Sequence, residues 1–319
     1  MSKINLLSIS GGKDSTAMLL HAIERGVDFQ CVFADTGHEH PDTYEYLDYL
    51  ESELGITLKR VRPDFAERIA NKAEYVRTHW ADDGVPAEKI ERALSVLKPT
   101  GNPFLDLCIW KGRFPSPKGR FCTEELKTAP ITKQVVIPLL KAGKGVRSWQ
   151  GVRAAESPRR AKMKMHELMD YGIWVYRPLL HWDAAEVFAI HRKHGIKPNP
   201  LYLKGMGRVG CMPCIMSRKG ELAEISRRFP EVIQRLKEWE AIVSDAAKRG
   251  VSAFFDVRPF AKDKYNVSHL THGIETAVDW AKTERGGRQY SLYFDDEEMP
   301  SCSSHYGLCE LPSEPEAAE

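Results

Sequence analysis

Short apolar runs alternate with amphipathic stretches through the first 62 residues. Ile4–Ile9, Asp28–Ala34 and residues 56–61 predict strands, and 14–25 and 41–54 carry the three-to-four-residue apolar spacing of helices. The order βαβαβ predicts an α/β protein built on a doubly wound parallel sheet. Residues 64–98 read as charged helix, until Pro99-Thr100-Gly101-Asn102-Pro103 breaks the pattern ahead of Phe104–Trp110. The stretch 111–120 is too rich in Gly and Pro to be regular. A helix over about 124–142 and an apolar strand near 146–151 resume the sheet, and Trp174–Leu180 reads as a further extended segment. Asp183 is placed to cap a helix over 184–194. Residues 220–249 read as a long charged helical region and Arg288–Phe294 as a late strand. The organisation expected is a nucleotide-binding domain over 1–220 with an insertion at about 64–120, a helical C-terminal region over 221–309, and a disordered acidic tail over 310–319.

The turn between the first strand and the first helix carries the chemistry. Residues 10–15 read Ser-Gly-Gly-Lys-Asp-Ser. Gly11 and Gly12 let the backbone approach a polyphosphate, Ser10 and Ser15 offer hydroxyls, and Lys13 adds a cation where the unpaired amides of a helix N-terminus already favour anions. The spacing is not that of a Walker A loop, which has four residues between its first Gly and the Gly-Lys pair. Ligands of doubly wound sheets bind beyond the carboxyl ends of the strands, and Ala34-Asp35-Thr36-Gly37-His38 ends the second strand at that same edge.

At 319 residues the chain can bury a core without covalent staples. It has no apolar run of 18 residues and no signal-peptide profile at its start, so a cytoplasmic protein without a membrane partner is expected. The net charge of +2 conceals a more basic body, because Glu310, Glu314, Glu316 and Glu319 crowd the tail. Lys111, Arg113, Lys118 and Arg120 interleave with Trp110, Phe114 and Phe121, a composition suited to backbone phosphates and stacked bases or to a substrate lid. A second basic group, Arg159, Arg160, Lys162 and Lys164, follows, and a third flanks the CxxC turn. Seven cysteines in a reducing compartment read as metal ligands or reactive thiols. Cys211-Met-Pro-Cys214 is a tight two-ligand turn. With Cys122 and Cys309 it makes four thiolates, enough for a tetrahedral zinc or a cluster, and single distant partners suit an iron-sulfur cluster better than a zinc knuckle. Cys302 competes with Cys309 as the fourth ligand, and whichever is not a ligand is a candidate persulfide carrier or nucleophile. Cys31 and Cys108, among apolar neighbours, read as packed thiols. His38 and His40 read equally as nucleotide or metal contacts and as loop structure.

Three motifs together, the loop at 10–15, Asp35-Thr36-Gly37 and Gly151-Val-Arg-Ala-Ala-Glu-Ser-Pro-Arg-Arg160, resemble the phosphoadenosine phosphosulfate (PAPS) reductase family of the PP-loop ATP pyrophosphatase superfamily over roughly residues 4–220. The resemblance implies that Ser10, Gly11, Gly12, Lys13, Asp14, Ser15, Asp35, Gly151, Arg159 and Arg160 hold the nucleotide. It implies roles for Lys13, Asp14 and Arg153 in catalysis, with Asp14 a candidate for holding Mg²⁺. It also points to a 4Fe-4S centre at the cysteines. The loop is intact where reductases of pre-activated sulfate carry an eroded one, and the reductase tail Glu-Cys-Gly-(Leu or Ile)-His is missing, the nearest string being Tyr306-Gly-Leu-Cys309-Glu. The chain therefore resembles most the ATP-pyrophosphatase component of DNA phosphorothioation systems and the ATP-dependent tRNA thiolation enzymes. That implies ATP cleaved to AMP and pyrophosphate, a nucleic-acid acceptor (DNA or tRNA) and a persulfide donor such as a cysteine desulfurase. The alternatives are a PAPS or adenylyl-sulfate reductase releasing sulfite, and a nucleotide-binding sensor or assembly subunit without catalysis.

Overall fold

A computed structural model describes residues 3–169, 172–256 and 267–283 of the chain. Its centre is a six-stranded sheet of β1 (Lys3–Ser8), β2 (Phe29–Ala34), β3 (Leu58–Val61), β4 (Gly145–Trp149), β5 (His166–Leu168) and β6 (Trp174–Tyr176), in the order β3-β2-β1-β4-β6-β5. All pairings are parallel except the edge pair β5·β6. The first three strands and both intervening helices, α1 (Lys13–Glu24) and α2 (Pro41–Leu54), lie where the apolar pattern predicts them. The late strand expected at Arg288–Phe294, the acidic tail, Cys302 and Cys309 lie outside the described residues.

Successive strand residues point to opposite faces, and the buried residues sort accordingly. Leu7 and Trp149 pack with α1, α2 and the helix Ala184–Lys193, whereas Leu6, Val32, Val61 and Val146 pack with Val135 and Val136 of a helical run from Phe121 to Lys141. This is the three-layer, doubly wound arrangement. The run over 121–141 is irregular for a reason visible in its sequence. Pro130 and Pro138 lie inside it without amides to donate, and π-type turns at Glu124–Thr128 and Thr132–Val136 precede them.

The segment expected to be an insertion is helical: α3 (Ala66–His79), α4 (Ala87–Val96) and α5 (Pro103–Lys111). Its apolar faces join those of helices Lys219–Arg228, Pro230–Asp245 and Ile274–Ala281 in one cluster that includes Ile69, Leu107, Leu236 and Ile274. The charged helical region expected over 220–249 consists of two helices, because Phe229 leaves helical geometry and Pro230 restarts it at a first-turn position. Lys72 fastens insertion to C-terminal helices, its ammonium donating to the carbonyls of Ile109 (2.7 Å) and Ala246 (2.8 Å). No helix among the described residues is long and apolar enough to cross a membrane.

Candidate functional site

α1 is buried along almost its whole length: Lys13, Ser15 and Thr16 are covered as fully as Ala17, Met18, Leu19 and Leu20. A helix enclosed on all sides holds its N-terminus rigidly, and residues 10–15 form that N-terminus. Gly11 has φ of +74°, and a Cβ there would come within 2.8 Å of the Thr43 methyl, so only glycine fits. Gly12 caps the helix without a side chain, so no cap side chain occupies the first-turn amides. The Ser15 hydroxyl takes the amide of Ser10 (3.1 Å) and donates to the Gly12 carbonyl (2.9 Å), which folds the loop back on itself.

Three residues that the sequence reading did not single out brace this loop from outside. Tyr202 accepts the Lys13 amide through its hydroxyl (3.0 Å), Asn199 donates to the Gly11 carbonyl (3.1 Å), and His191 Nε2 lies 2.9 Å from the Lys13 carbonyl. The local signal was present in Asn199-Pro200, an N-cap followed by proline at the first helical position, which fixes the turn carrying Tyr202. Asn199 is fully buried and also caps Leu201 N at 3.0 Å. Asn199→Ala is expected to lower unfolding free energy by about 1–3 kcal/mol, measured by urea denaturation, because it strands both partners away from water.

Lys13, Asp14 and Arg153 form a nearly buried chain of alternating charge. Asp14 lies 3.2 Å from the Lys13 ammonium and 2.5 Å from Arg153 Nε. Burial, and then the Arg153 charge, hold the lysine below its ordinary pKa, while Asp14 opposes them. Gly151 brings β4 against α1 so closely that a Cβ would lie 2.8 Å from the Asp14 carbonyl. Arg153 thus turns inward to Asp14. Arg160 pairs with Glu156 and Arg159 is exposed, so the three arginines of the segment are divided between a buried and a surface role.

The turn after β2 is built around Asp35 and Glu39. Asp35 accepts from the Gly37 amide (2.9 Å) and the Tyr44 hydroxyl (2.7 Å). Glu39, buried, accepts from the amide of Thr36 (3.2 Å), its hydroxyl (2.7 Å) and the His38 amide (3.3 Å). His38 is a structural residue. Its Nε2 lies 2.9 Å from the Pro213 carbonyl, and its ring stacks on Phe104 at 4.3 Å. His40 caps α2 by accepting the Asp42 amide.

Through Glu39 and His38 this turn carries the CxxC segment. Cys211 pairs with Glu39 as a single antiparallel bridge, the His38 carbonyl accepts the Met212 amide (2.8 Å), and Cys211 Sγ lies 3.7 Å from both Thr36 Oγ1 and Glu39 Oε1. The turn after β2 and the thiols therefore adjoin. Cys122 and Cys214 are within electrostatic reach of each other, as are Cys214 and Cys211. Lys127, one helical turn past Cys122, is half-buried among them. The charge of Cys211 pushes the Lys127 pKa up, burial opposes it, and Glu39 and Cys214 add to the rise. Burial pushes the Cys211 thiol up to about 11, and the Lys127 charge works against that rise. Among the described residues, no three Cys, His, Asp or Glu side chains lie close enough together to hold one metal ion. Cys31 and Cys108 are buried in apolar clusters, as their neighbours predict.

The basic, aromatic loop differs from its sequence reading. Phe114 is buried in the helical core, and Trp110 is covered by Lys111 (3.7 Å from the ring centre) and Arg68 (4.3 Å), both of which also pair with Glu125. Those rings stack within the protein, which leaves Arg113, Lys118 and Arg120 as the exposed cations of the loop.

Comparison with known proteins identifies the family. Residues 4–217 match the model of the phosphoadenosine phosphosulfate reductase domain. An uncharacterized 37.8 kDa protein of Escherichia phage 186 is 50% identical over 97% of both chains. The nin region protein ORF290 of Escherichia phage lambda is 34% identical over 53% of this chain and 56% of its own. An adenosine 5'-phosphosulfate reductase of Anoxybacillus flavithermus is 26% identical over 59% of this chain and 62% of its own. With a family match over two thirds of its length, this chain belongs to the phosphoadenosine phosphosulfate reductase family.

Proposed function

We propose that this protein is an ATP-dependent adenylylating sulfurtransferase acting on nucleic acid. The observation that carries the reading is the complete Ser10–Ser15 loop, with Lys13 enclosed at the N-terminus of an immobilised helix. Such a loop suits a substrate that retains its pyrophosphate, which is ATP rather than a sulfonucleotide. An acceptor oxygen attacks the α-phosphorus, the bond to the β-phosphate oxygen breaks, and pyrophosphate leaves into the loop amides and the Lys13 ammonium, which stabilise the developing charge. Asp14, itself held by Arg153, positions that ammonium, and Mg²⁺ arrives with the nucleotide. The terminal sulfur of a persulfide then displaces AMP, and a second thiol cleaves the disulfide left on the acceptor.

Cys122, Cys211 and Cys214, with Cys309 or Cys302, are the residues that would hold a 4Fe-4S cluster. Their spread is wider than one ion requires, and Lys127 and Arg208 offer cations that suit an anionic thiolate cluster. Bound there, the cluster would offer iron as a binding point for incoming sulfur. The expected result is ATP-dependent transfer of radiolabelled sulfur from cysteine, through a desulfurase, to DNA or tRNA. Cys214→Ser should abolish transfer, together with protein-bound iron and acid-labile sulfide, and leave ATP binding intact. Transfer at the wild-type rate by that variant would remove the thiols from the reading. Family membership and the likeness to an adenosine 5'-phosphosulfate reductase favour a second reading, reduction of a sulfonucleotide to sulfite.

A further inference from the structure

Among the described residues, the sheet face that packs on α1 at its carboxyl end is only partly covered at its amino end. Lys3 and Asn5 of β1, Arg147 of β4 and Trp174 of β6 share that face, with Asn5 in register with Arg147 and Arg147 with Trp174. Lys3, Arg147, His166, Trp174 and Val175 line a recess of about 250 Å³. Two features separate it from an ordinary solvated surface. Lys3 and Arg147 point like charges into one recess and form no ion pair among the described residues, whereas the neighbouring Arg177 is paired with Glu167 at 2.8 Å. Trp174 is 43% exposed beside them, a large apolar ring that its own strand position leaves uncovered. The recess is smaller than the roughly 300–1,000 Å³ of sites that enclose a whole small molecule, so it suits one unit of a longer one.

We infer that this recess binds one nucleotide unit of a single-stranded nucleic acid, with the base on Trp174 and the flanking phosphates on Lys3 and Arg147. A positive groove beside an aromatic platform is the arrangement that single strands use, because every base has a stacking face and every linkage a charge. The recess lies at the opposite end of β1 from the loop at 10–15, roughly 17 Å along the strand, so it serves as an anchoring point for the strand and not as the reacting centre. It deepens the proposed acceptor class and rests on that reading only for its purpose. Binding itself needs neither ATP nor the thiols.

The test is fluorescence anisotropy of a labelled oligodeoxythymidine, without ATP, across about 50–200 mM salt. Trp174→Ala is expected to weaken binding about tenfold with the salt slope unchanged, and Trp174→Phe to restore part of the loss. Lys3→Ala combined with Arg147→Gln should weaken binding and reduce the log–log salt slope by about 1.4, the contribution of two phosphates on a single strand. Melting temperatures of all variants identify any that fail to fold, and Trp174→Phe keeps the ring test open if Trp174→Ala is one of them. Absence of wild-type binding, or wild-type affinity and slope in the folded recess variants, would overturn the inference. So would a change in self-association on Trp174 substitution without any effect on the oligonucleotide, which would assign the recess to a second copy of the chain. Strand binding without pyrophosphate release would leave the anchoring site standing and refute the adenylylation reading alone.

Discussion

Lys13→Ala is expected to lower the rate of pyrophosphate release from ATP by about 100- to 1,000-fold while leaving the fold intact. The Lys13 ammonium lies at the N-terminus of α1, and removing a positioned group that stabilises charge on a leaving oxygen costs about 3–4 kcal/mol of barrier. The fold tolerates the change because Asp14 keeps Arg153 as its partner, so no buried carboxylate is abandoned. Burial already disfavours the lysine's charged form, which limits what its loss costs in stability. Rapid-quench assays with labelled ATP, beside thermal melts, separate the two effects. A variant that melts as the wild type does but retains its rate would show that Lys13 does not act on the leaving group.

The second large effect is on stability in acid. His38 is fully buried, and burial, followed by the charge of Arg235, pulls its pKa down to about 3, against which its contact with the Pro213 carbonyl works only weakly. Unfolded, a histidine titrates near 6.5. Above that pH both states are neutral and His38 adds no pH dependence. Below it the unfolded chain takes up a proton that the folded chain refuses, so stability falls as pH drops from about 6.5 toward 3, by up to about 1.4 kcal/mol per pH unit. Between pH 7 and pH 5 the wild type should lose about 2 kcal/mol more than His38→Gln, which keeps a donor for the Pro213 carbonyl but cannot titrate. Urea denaturation at the two pH values measures the difference. Equal losses would mean that His38 takes up its proton in the folded state. Because this ring links the turn after β2 to the CxxC segment, acid should loosen the thiol region with it.

Much of the fold is legible because local and global signals coincide. In β1, α1 and β2, apolar period, glycine turn and helix start all give one answer, and Asp183 caps the helix Ala184–Lys193 with Glu186 reciprocating, as its spacing predicts. The α5 helix was harder to read. Asn102-Pro103 looks like a breaker, yet Asn102 accepts the Leu105 amide and proline occupies the first turn, so the same two residues end one element and begin another. The antiparallel edge strand β5 has three residues, too few to carry a period.

At the site, the loop residues proposed for nucleotide binding are legible because their chemistry is local to one segment, Ser10–Ser15. Those that hold the loop could not. Asn199, Tyr202 and His191 act across nearly 190 positions of sequence through single hydrogen bonds, and Glu39 and Lys127 acquire their meaning only when the β2 turn meets Cys211. For Trp110 and Phe114 the composition pointed outward, but tertiary packing took one ring between two cations and the other into the core.

The most direct test of the proposed function is product analysis of anaerobically purified protein offered ATP and Mg²⁺ in one reaction, and PAPS with reduced thioredoxin in another. The account predicts AMP and pyrophosphate from ATP, stimulated by nucleic acid, and no sulfite from PAPS. Sulfite from PAPS with no pyrophosphate from ATP would contradict it and make the chain a reductase.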